Sequence, residues 1–429
     1  MCAMKCVIFD LDGTLTQSEE GIWNCVRYAA ESLGFPEPDV ATLRKFVGPP
    51  LSYSFHEYLG MTEEMAEQAV AKYRERYSVV GLFENRVYPG VRRLLATLKK
   101  QGAYLAVATG KPQIYADRIV SHFGLDKWFD RVVGPGMKAG HEKDGLIRAA
   151  LPDDWDPSWE DCWMLGDTRF DMEGGRRVGV KTLGVGYGYG TEEELHTAGC
   201  DVFCRTVQEV IDTLCPNDEP PTGFFLSMEG LDGSGKTTQM NLLEDNLDRF
   251  GFEVIRSREP GGCSVSEKIR GILLDAGNMG MTAEAEALLF AASRAQHVRE
   301  VIRPTMAAGK VLLCDRFVDS SVAYQGGGRQ LGVQYVLDVN APAVDGTMPS
   351  TTVYLDIDHG TAMARRSAAS ELDRMELEAD SFHARVEAAY RELIKRDPDR
   401  FVVVDATRTE TEIGKDAAAR VLARLMEAE

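Results

Sequence analysis

Residues 223–238 read GFFLSMEGLDGSGKTT, and from Gly230 to Thr237 they fit the spacing G-x-x-x-x-G-K-S/T. Such a turn functions only where a strand delivers it and a helix leaves it, so that backbone N–H groups and the helix dipole converge on a phosphate. This stretch therefore constrains the surrounding chain to alternating strands and helices on a parallel sheet. The later apolar runs FEVIRS, KVLLCD, TTVYLDI and RFVVVDA read as further strands, with a long helix around residues 282–306. A separate strand end lies far upstream: residues 6–16 read CVIFDLDGTLT, an apolar run closing on two carboxylates.

The chain has 429 residues, too many for one ordinary core, so two domains of about 200 residues each are expected. The stretch CPNDEPPTG at 215–223 is the evident linker, with three prolines and a terminal glycine. The expected boundaries are 1–214, a linker at 215–221 and a second domain at 222–429. Both domains read as α/β, each a doubly wound parallel sheet: KCVIFD, AYLAVATG, DCWMLGD and KTLGVGYG are the strands of the first. Residues 17–85 read as mostly helical, too long for a loop, and are expected to form a cap inserted after the first strand.

A net charge of −19 repels a nucleic-acid backbone, so no polymer partner is expected, while local arginine clusters still suit small phosphates. No apolar run reaches membrane-spanning length, and no leader peptide is read at the N-terminus. Nine cysteines, odd in number and irregularly spaced, fit a reducing cytoplasm better than a disulfide framework.

In an extended segment, residues two apart face the same side, so Asp10 and Asp12 can address one substrate as nucleophile and acid/base. A carboxylate attacking a phosphate monoester needs its charge neutralised, which calls for Mg²⁺. Later strand ends carry matching groups: Thr109 in VATGKP, Asp167 and Asp171 in MLGDTRFD, and Lys143 opening a helix in GHEKDGLIRAA. This set resembles the haloacid-dehalogenase superfamily, in particular its phosphoglycolate-phosphatase-like members with an inserted helical cap. The resemblance implies Asp10 as nucleophile, Asp12 as acid/base meeting the metal through its backbone carbonyl, and Thr109 and Lys143 as phosphate-binding residues. It implies Asp167 as a Mg²⁺ ligand with Asp171 as ligand or support, and Lys138 is the rival to Lys143. The substrate is a small phosphate monoester whose identity the cap sets; a regulatory or structural role for this domain is the alternative.

In the second domain, Lys236 neutralises the β- and γ-phosphates of a nucleotide and the Thr237 hydroxyl binds Mg²⁺. Arg258 in REPGG, Arg270, Arg294 and Arg316 would suit a dianionic monophosphate, and Phe290 offers a flat face to a base. In order, EGLDGSGKTTQ, REPGG, LLFAASRAQH, DRFVDSSVAYQ and LDRMELE resemble thymidylate kinases. The resemblance implies transfer of the ATP γ-phosphate to dTMP, with Gly230, Asp232, Gly233, Ser234, Gly235, Lys236, Thr237 and Thr238 around the donor. It implies Arg258, Arg270 and Arg316 on the acceptor phosphate, with Asp232 near that phosphate or its Mg²⁺. Phe290 would stack on thymine, Arg294, Ser321 and Gln325 would read its edge, and Tyr324 would lie on the deoxyribose. Gly233 stands where some members carry a catalytic arginine, so a lid arginine is expected instead: Arg374, with Arg366 as rival and Arg365 nearby. The resemblance also implies a homodimer through the long helices of this domain.

Overall fold

Strand Cys6–Phe9 (β1) is apolar throughout and fully buried, because a parallel strand carries neighbours on both edges and helices on both faces. The computed structural model describes residues 6–48, 50–136, 142–157, 159, 161–216, 222–365, 374–375 and 377–429. The chain divides into two compact units, Met1–Glu219 with Arg249–Gly251, and Pro220–Asp248 with Phe252–Glu429. Most of the linker read at 215–221, and the rivals Lys138 and Arg366, lie outside the described residues.

In the first unit, β1 is followed by strands Tyr104–Ala108 (β2), Arg131–Val133 (β3), Cys162–Gly166 (β4), Lys181–Val185 (β5) and Val202–Cys204 (β6). They form one parallel sheet in the order β3-β2-β1-β4-β5-β6. The short strands β3 and β6 are absent from the sequence reading, since three residues are too few to display a period. The register pairs Phe9 with both Val107 and Leu165. The segments carrying Asp10, Thr109 and Asp167 therefore leave the sheet side by side at its carboxyl edge.

Between β1 and β2 lies the helical insertion: Glu19–Ser32, Val40–Arg44, Leu51–Leu59 and Glu63–Arg76, closed by a wide turn at Tyr77–Gly81. Local signals set its boundaries. The Thr62 hydroxyl accepts from Met65 N at one helix start, and Gly60, at φ +67°, ends the helix before it. Two-residue strands, Thr16–Gln17 and Arg86–Val87, pair antiparallel where the insertion begins and ends. Phe46 and Phe55 of the insertion share one apolar cluster with Val7, Phe9 and Leu11 of the sheet side. Each such buried side chain contributes about 1.5–3 kcal/mol.

The second unit has strands Phe224–Gly230 (β7), Val254–Arg258 (β8), Val311–Asp315 (β9), Thr351–Asp356 (β10) and Phe401–Asp405 (β11), all parallel, in the order β8-β9-β7-β10-β11. The first strand lies centrally, so its carboxyl end opens at the point where the strand order reverses, the usual ligand crevice of such sheets. The long helix read around 282–306 is Ala283–His297 continued by Val298–Ile302 and Arg303–Ala307.

Candidate active sites

In the first unit, Asp10 emerges directly from β1, and Lys143 opens helix Lys143–Ala150. The Lys143 ammonium donates to Asp10 Oδ1 at 2.7 Å and lies 2.6 Å from Asp171 Oδ1. Asp171 occupies the third position of helix Arg169–Val178. There its Oδ2 accepts from Thr168 N at 3.0 Å and from the Thr168 hydroxyl at 2.7 Å. Asp167 Oδ1 accepts from the Thr14 hydroxyl at 3.3 Å and Oδ2 from Tyr189 N at 2.8 Å. Gly13 is obligatory here: its φ is +82°, and a Cβ would lie 2.1 Å from Asp167 Oδ2.

Asp10, Asp167 and Asp171 each offer an oxygen, and the three oxygens lie within 4.8 Å of one another, all on buried residues. Burial pushes Asp10 up to about 7 against the opposing pull of Lys143. Burial, followed by the neighbouring Asp171 and Asp10 carboxylates, raises Asp167 well above the usual range. Burial alone would lower Lys143, but Asp10 and Asp171 outweigh it and hold the ammonium charged. A crowd of hard oxygen donors whose pKa values are raised by burial and mutual repulsion suits Mg²⁺, whose charge would relieve that repulsion.

Asp12 does not join this trio through its side chain. Its Oδ2 pairs with Lys111 at 3.0 Å, and its Oδ1 is buried without a protein donor among the described residues. Lys111 in turn meets the Tyr77 hydroxyl and lies 5.0 Å from the centre of the Tyr77 ring, so the insertion reaches Asp12 through Lys111. The Thr109 hydroxyl accepts from Lys111 N at 3.2 Å and is buried at the end of β2. Lys111, Tyr77 and Tyr189 are absent from the sequence reading. Lys111 was findable, two residues after Thr109 in VATGKP; nothing local marks Tyr77.

In the second unit, a cavity of about 540 Å³ joins the phosphate loop to the arginine cluster. Asp232, Gly233, Gly235, Lys236, Thr237 and Thr238 of the loop line it together with Arg258, Arg270, Phe290, Arg294, Arg316, Ser321, Tyr324 and Gln325. Gly230 and Ser234 belong to the loop but do not line the cavity; Ser234 is buried beneath it. Lys236 donates to Gly230 O at 3.1 Å and Leu231 O at 3.0 Å, and burial with nearby Arg316 lowers its pKa.

Asp232 holds the centre: Oδ1 accepts from Arg316 at 2.6 Å and Oδ2 from the Tyr324 hydroxyl at 3.1 Å. Burial would raise its pKa, but Arg316 and then Lys236 pull it down well below the carboxylate range. Arg316 sits at φ +68°, a conformation costly for a side chain with a Cβ and typical of residues aimed by their function. Asp315 lines the same cavity, with Oδ1 buried and meeting no protein donor among the described residues. With the Thr237 hydroxyl and Asp232, it gives this site an oxygen set that also suits Mg²⁺.

Arg294 is fully buried, held by Glu259 Oε2 at 2.7 Å and by Asn340 Oδ1. Glu259 also accepts from His297 at 2.8 Å, so the REPGG turn is keyed to the helix that carries Phe290. Arg374 is not among the residues that line the cavity. Its Nε donates to Leu273 O at 2.9 Å and its Nη2 lies 2.7 Å from Glu286 Oε2, a buried carboxylate that captures it. Among the described residues of that segment, Arg365 is the arginine that lines the cavity, anchored on Ala406 O and, at 2.9 Å, on Thr407 O.

The thymidylate kinase family model matches residues 228–417, and the haloacid dehalogenase-like hydrolase model matches residues 7–185. The thymidylate kinase of Geobacillus thermodenitrificans is 48% identical over 205 residues, spanning 47% of this chain and 91% of that protein. That of Pelobacter propionicus is 44% identical over 206 residues, spanning 47% and 94%. Two solved structures are similar over half of this chain. A haloacid dehalogenase-like family hydrolase from Streptococcus pneumoniae is 32% identical, covers 50% of this chain and 99% of that one, and has a TM-score of 0.46. A predicted phosphatase from Clostridium acetobutylicum is 37% identical, covers 50% and 99%, and has a TM-score of 0.44. Through its C-terminal half the chain belongs to the thymidylate kinase family, joined to an N-terminal half of the haloacid dehalogenase-like hydrolase type.

Proposed function

We propose that the C-terminal half transfers the γ-phosphate of ATP to dTMP, giving dTDP, while the N-terminal half hydrolyses a small phosphate monoester through a phosphoaspartate on Asp10. The observation that carries the kinase reading is the single cavity that runs from the phosphate loop to Phe290 and the arginines. In it the loop amides and Lys236 take the donor phosphates, and Arg258, Arg270 and Arg316 take the acceptor phosphate. Phe290 stacks on the base, Arg294, Ser321 and Gln325 read its edge, and Tyr324 packs on the sugar. Arg365, already at the cavity wall, is the better candidate for the arginine that meets charge developing on the transferred group, with Arg374 held back by Glu286.

In the N-terminal half, Asp10 attacks phosphorus, Lys143 and Thr109 hold the phosphoryl oxygens, and Asp12 gives its proton to the leaving oxygen. Asp12 then takes a proton from the water that opens the acyl phosphate, restoring Asp10. Lys111 holds the Asp12 carboxylate in place. Asp10, Asp167 and Asp171, with the Asp12 backbone carbonyl, would hold Mg²⁺ here, and Thr237 with Asp232 in the kinase. In both sites the bound ion supplies charge neutralisation at phosphate oxygens.

Two copies are proposed to associate through the kinase helices. Val265, Ile272 and Leu288 stand exposed on helices Ser264–Leu274 and Ala283–His297, a placement that supports this reading. Among the described residues no helix is long and apolar enough to cross a membrane. The described cysteines form no disulfide, which supports the reading of a reducing cytoplasm.

The test measures phosphate release from a panel of monophosphates by the wild type and Asp10→Asn, with dTDP formation followed in parallel. Asp10→Asn is expected to lose release at least about 10³-fold and to keep kinase turnover within about twofold. Failure of the wild type to form dTDP from dTMP and ATP would overturn the kinase reading. Absence of release from every monophosphate would overturn the phosphatase reading and leave the N-terminal half a regulatory role.

A further inference from the structure

Glu286 is fully buried in helix Ala283–His297, one turn before Phe290. Three side chains converge on its carboxylate. Gln325 Nε2 donates to Oε1 at 2.8 Å, Arg329 Nη2 lies 3.0 Å from Oε2, and Arg374 Nη2 lies 2.7 Å from Oε2. Arg329 is fixed a second time by Glu378 at 2.5 Å. A carboxylate facing two guanidinium groups offers only acceptors, so it dictates which end of the Gln325 amide turns toward it. The NH₂ end is taken. The carbonyl end, Gln325 Oε1, is buried and meets no protein donor among the described residues.

Gln325 and Phe290 line the same cavity, so an unmet acceptor lies in the wall of the pocket that holds the stacking ring. An unmet buried acceptor favours a ligand edge that brings an N–H and penalises one that brings a lone pair. We propose that Glu286 is the positioning residue that sets base choice: by holding the Gln325 amide in one orientation, it selects a pyrimidine with an N–H at ring position three over one with a bare ring nitrogen there. The same carboxylate captures Arg374, whose neighbour Met375 lines the cavity, so base recognition and seating of the 374–375 segment share one acceptor. This rests on the reading of dTMP as the phosphate acceptor and deepens it. A carboxylate that only neutralised Arg329 and Arg374 would affect folding and leave base preference alone.

The experiment compares kcat/KM for dTMP and for dCMP, at saturating ATP, in the full chain and its Glu286→Gln and Glu286→Asp variants. In Glu286→Gln the new amide offers donor and acceptor alike, so Gln325 can turn either way. The dTMP-to-dCMP ratio is expected to fall at least about tenfold, chiefly through KM for the nucleotides, with KM for ATP within about twofold. Glu286→Asp keeps the charge for the arginines but shortens the reach to Gln325, and is expected to lower the ratio in the same direction. An unchanged ratio in either folded variant overturns the proposal while the kinase reading stands. A wild type that does not phosphorylate dTMP overturns the kinase reading and this proposal with it. If neither variant folds, the wild-type complex with dTMP decides. Gln325 Oε1 within about 3 Å of the base N3–H, with Nε2 still on Glu286, supports the proposal, and any other partner for Oε1 overturns it.

Discussion

Glu229 lies at the end of β7, fully buried, and accepts from Phe317 N at 2.8 Å, the Ser320 hydroxyl at 2.6 Å and the Tyr390 hydroxyl at 2.7 Å. Burial, followed by the nearby Asp319, pushes it up to about 7. An acid whose folded pKa lies above its unfolded one takes up a proton on folding. Its contribution is therefore complete below the ordinary glutamate range and is lost as pH rises through about 7. Glu229→Gln should flatten that dependence: between pH 5 and pH 8 the melting temperature of the kinase half falls less in the variant than in the wild type. Equal slopes in calorimetric scans would contradict this. The same residue illustrates what a sequence conceals. Asp10, Lys236 and Arg316 were legible because a strand end or a glycine turn places them by local rules. Glu229, Glu259 and Glu286 owe their roles to partners 35 to 161 positions away, from the Arg294 bond to Glu259 to the Tyr390 bond to Glu229, and no spacing announces such pairs. The contact of Arg374 with the buried Glu286 is hidden for the same reason: its segment marks it as a lid residue, and nothing nearby in the sequence announces that partner.

Helix Arg169–Val178 couples stability to chemistry. Thr168 caps its start, and the return partner in that capping box is Asp171, whose other oxygen meets Lys143. Thr168→Ala removes the hydroxyl that fixes Asp171 Oδ2, at a cost of about 1 kcal/mol in stability. Phosphate release should fall by more than that loss explains, roughly tenfold at a temperature where the variant is fully folded, because Asp171 Oδ2 then keeps only the Thr168 N bond and is held less firmly. Parallel melting and turnover assays check this, and turnover equal to wild type would show that the cap is structural alone. The long strands and capped helices were readable because their apolar periods run over several residues. The strands β3 and β6 were not, since their existence depends on pairing with neighbours already in place.

For the whole molecule, each of the two compact units carries its own parallel sheet with its own strand order, and each sheet positions its own candidate site. Exposed Val265, Ile272 and Leu288 predict self-association through the kinase helices. Sedimentation should give a dimer for the wild type, and Ile272→Glu with Leu288→Glu should shift it to a monomer, since buried unpaired carboxylates oppose an apolar interface. Monomeric wild type at micromolar concentration would refute the expected contact. The helical insertion has a further consequence. Its first and last residues meet in the antiparallel pair Thr16–Val87 and Gln17–Arg86, so the chain leaves the catalytic layer and returns to it at one doorway. Closing that doorway costs nearly the same entropy whatever lies beyond it, because the cost grows only logarithmically with length. The insertion is thus an exchangeable attachment: its length can change at little entropic cost while the aspartates beside the doorway keep their register.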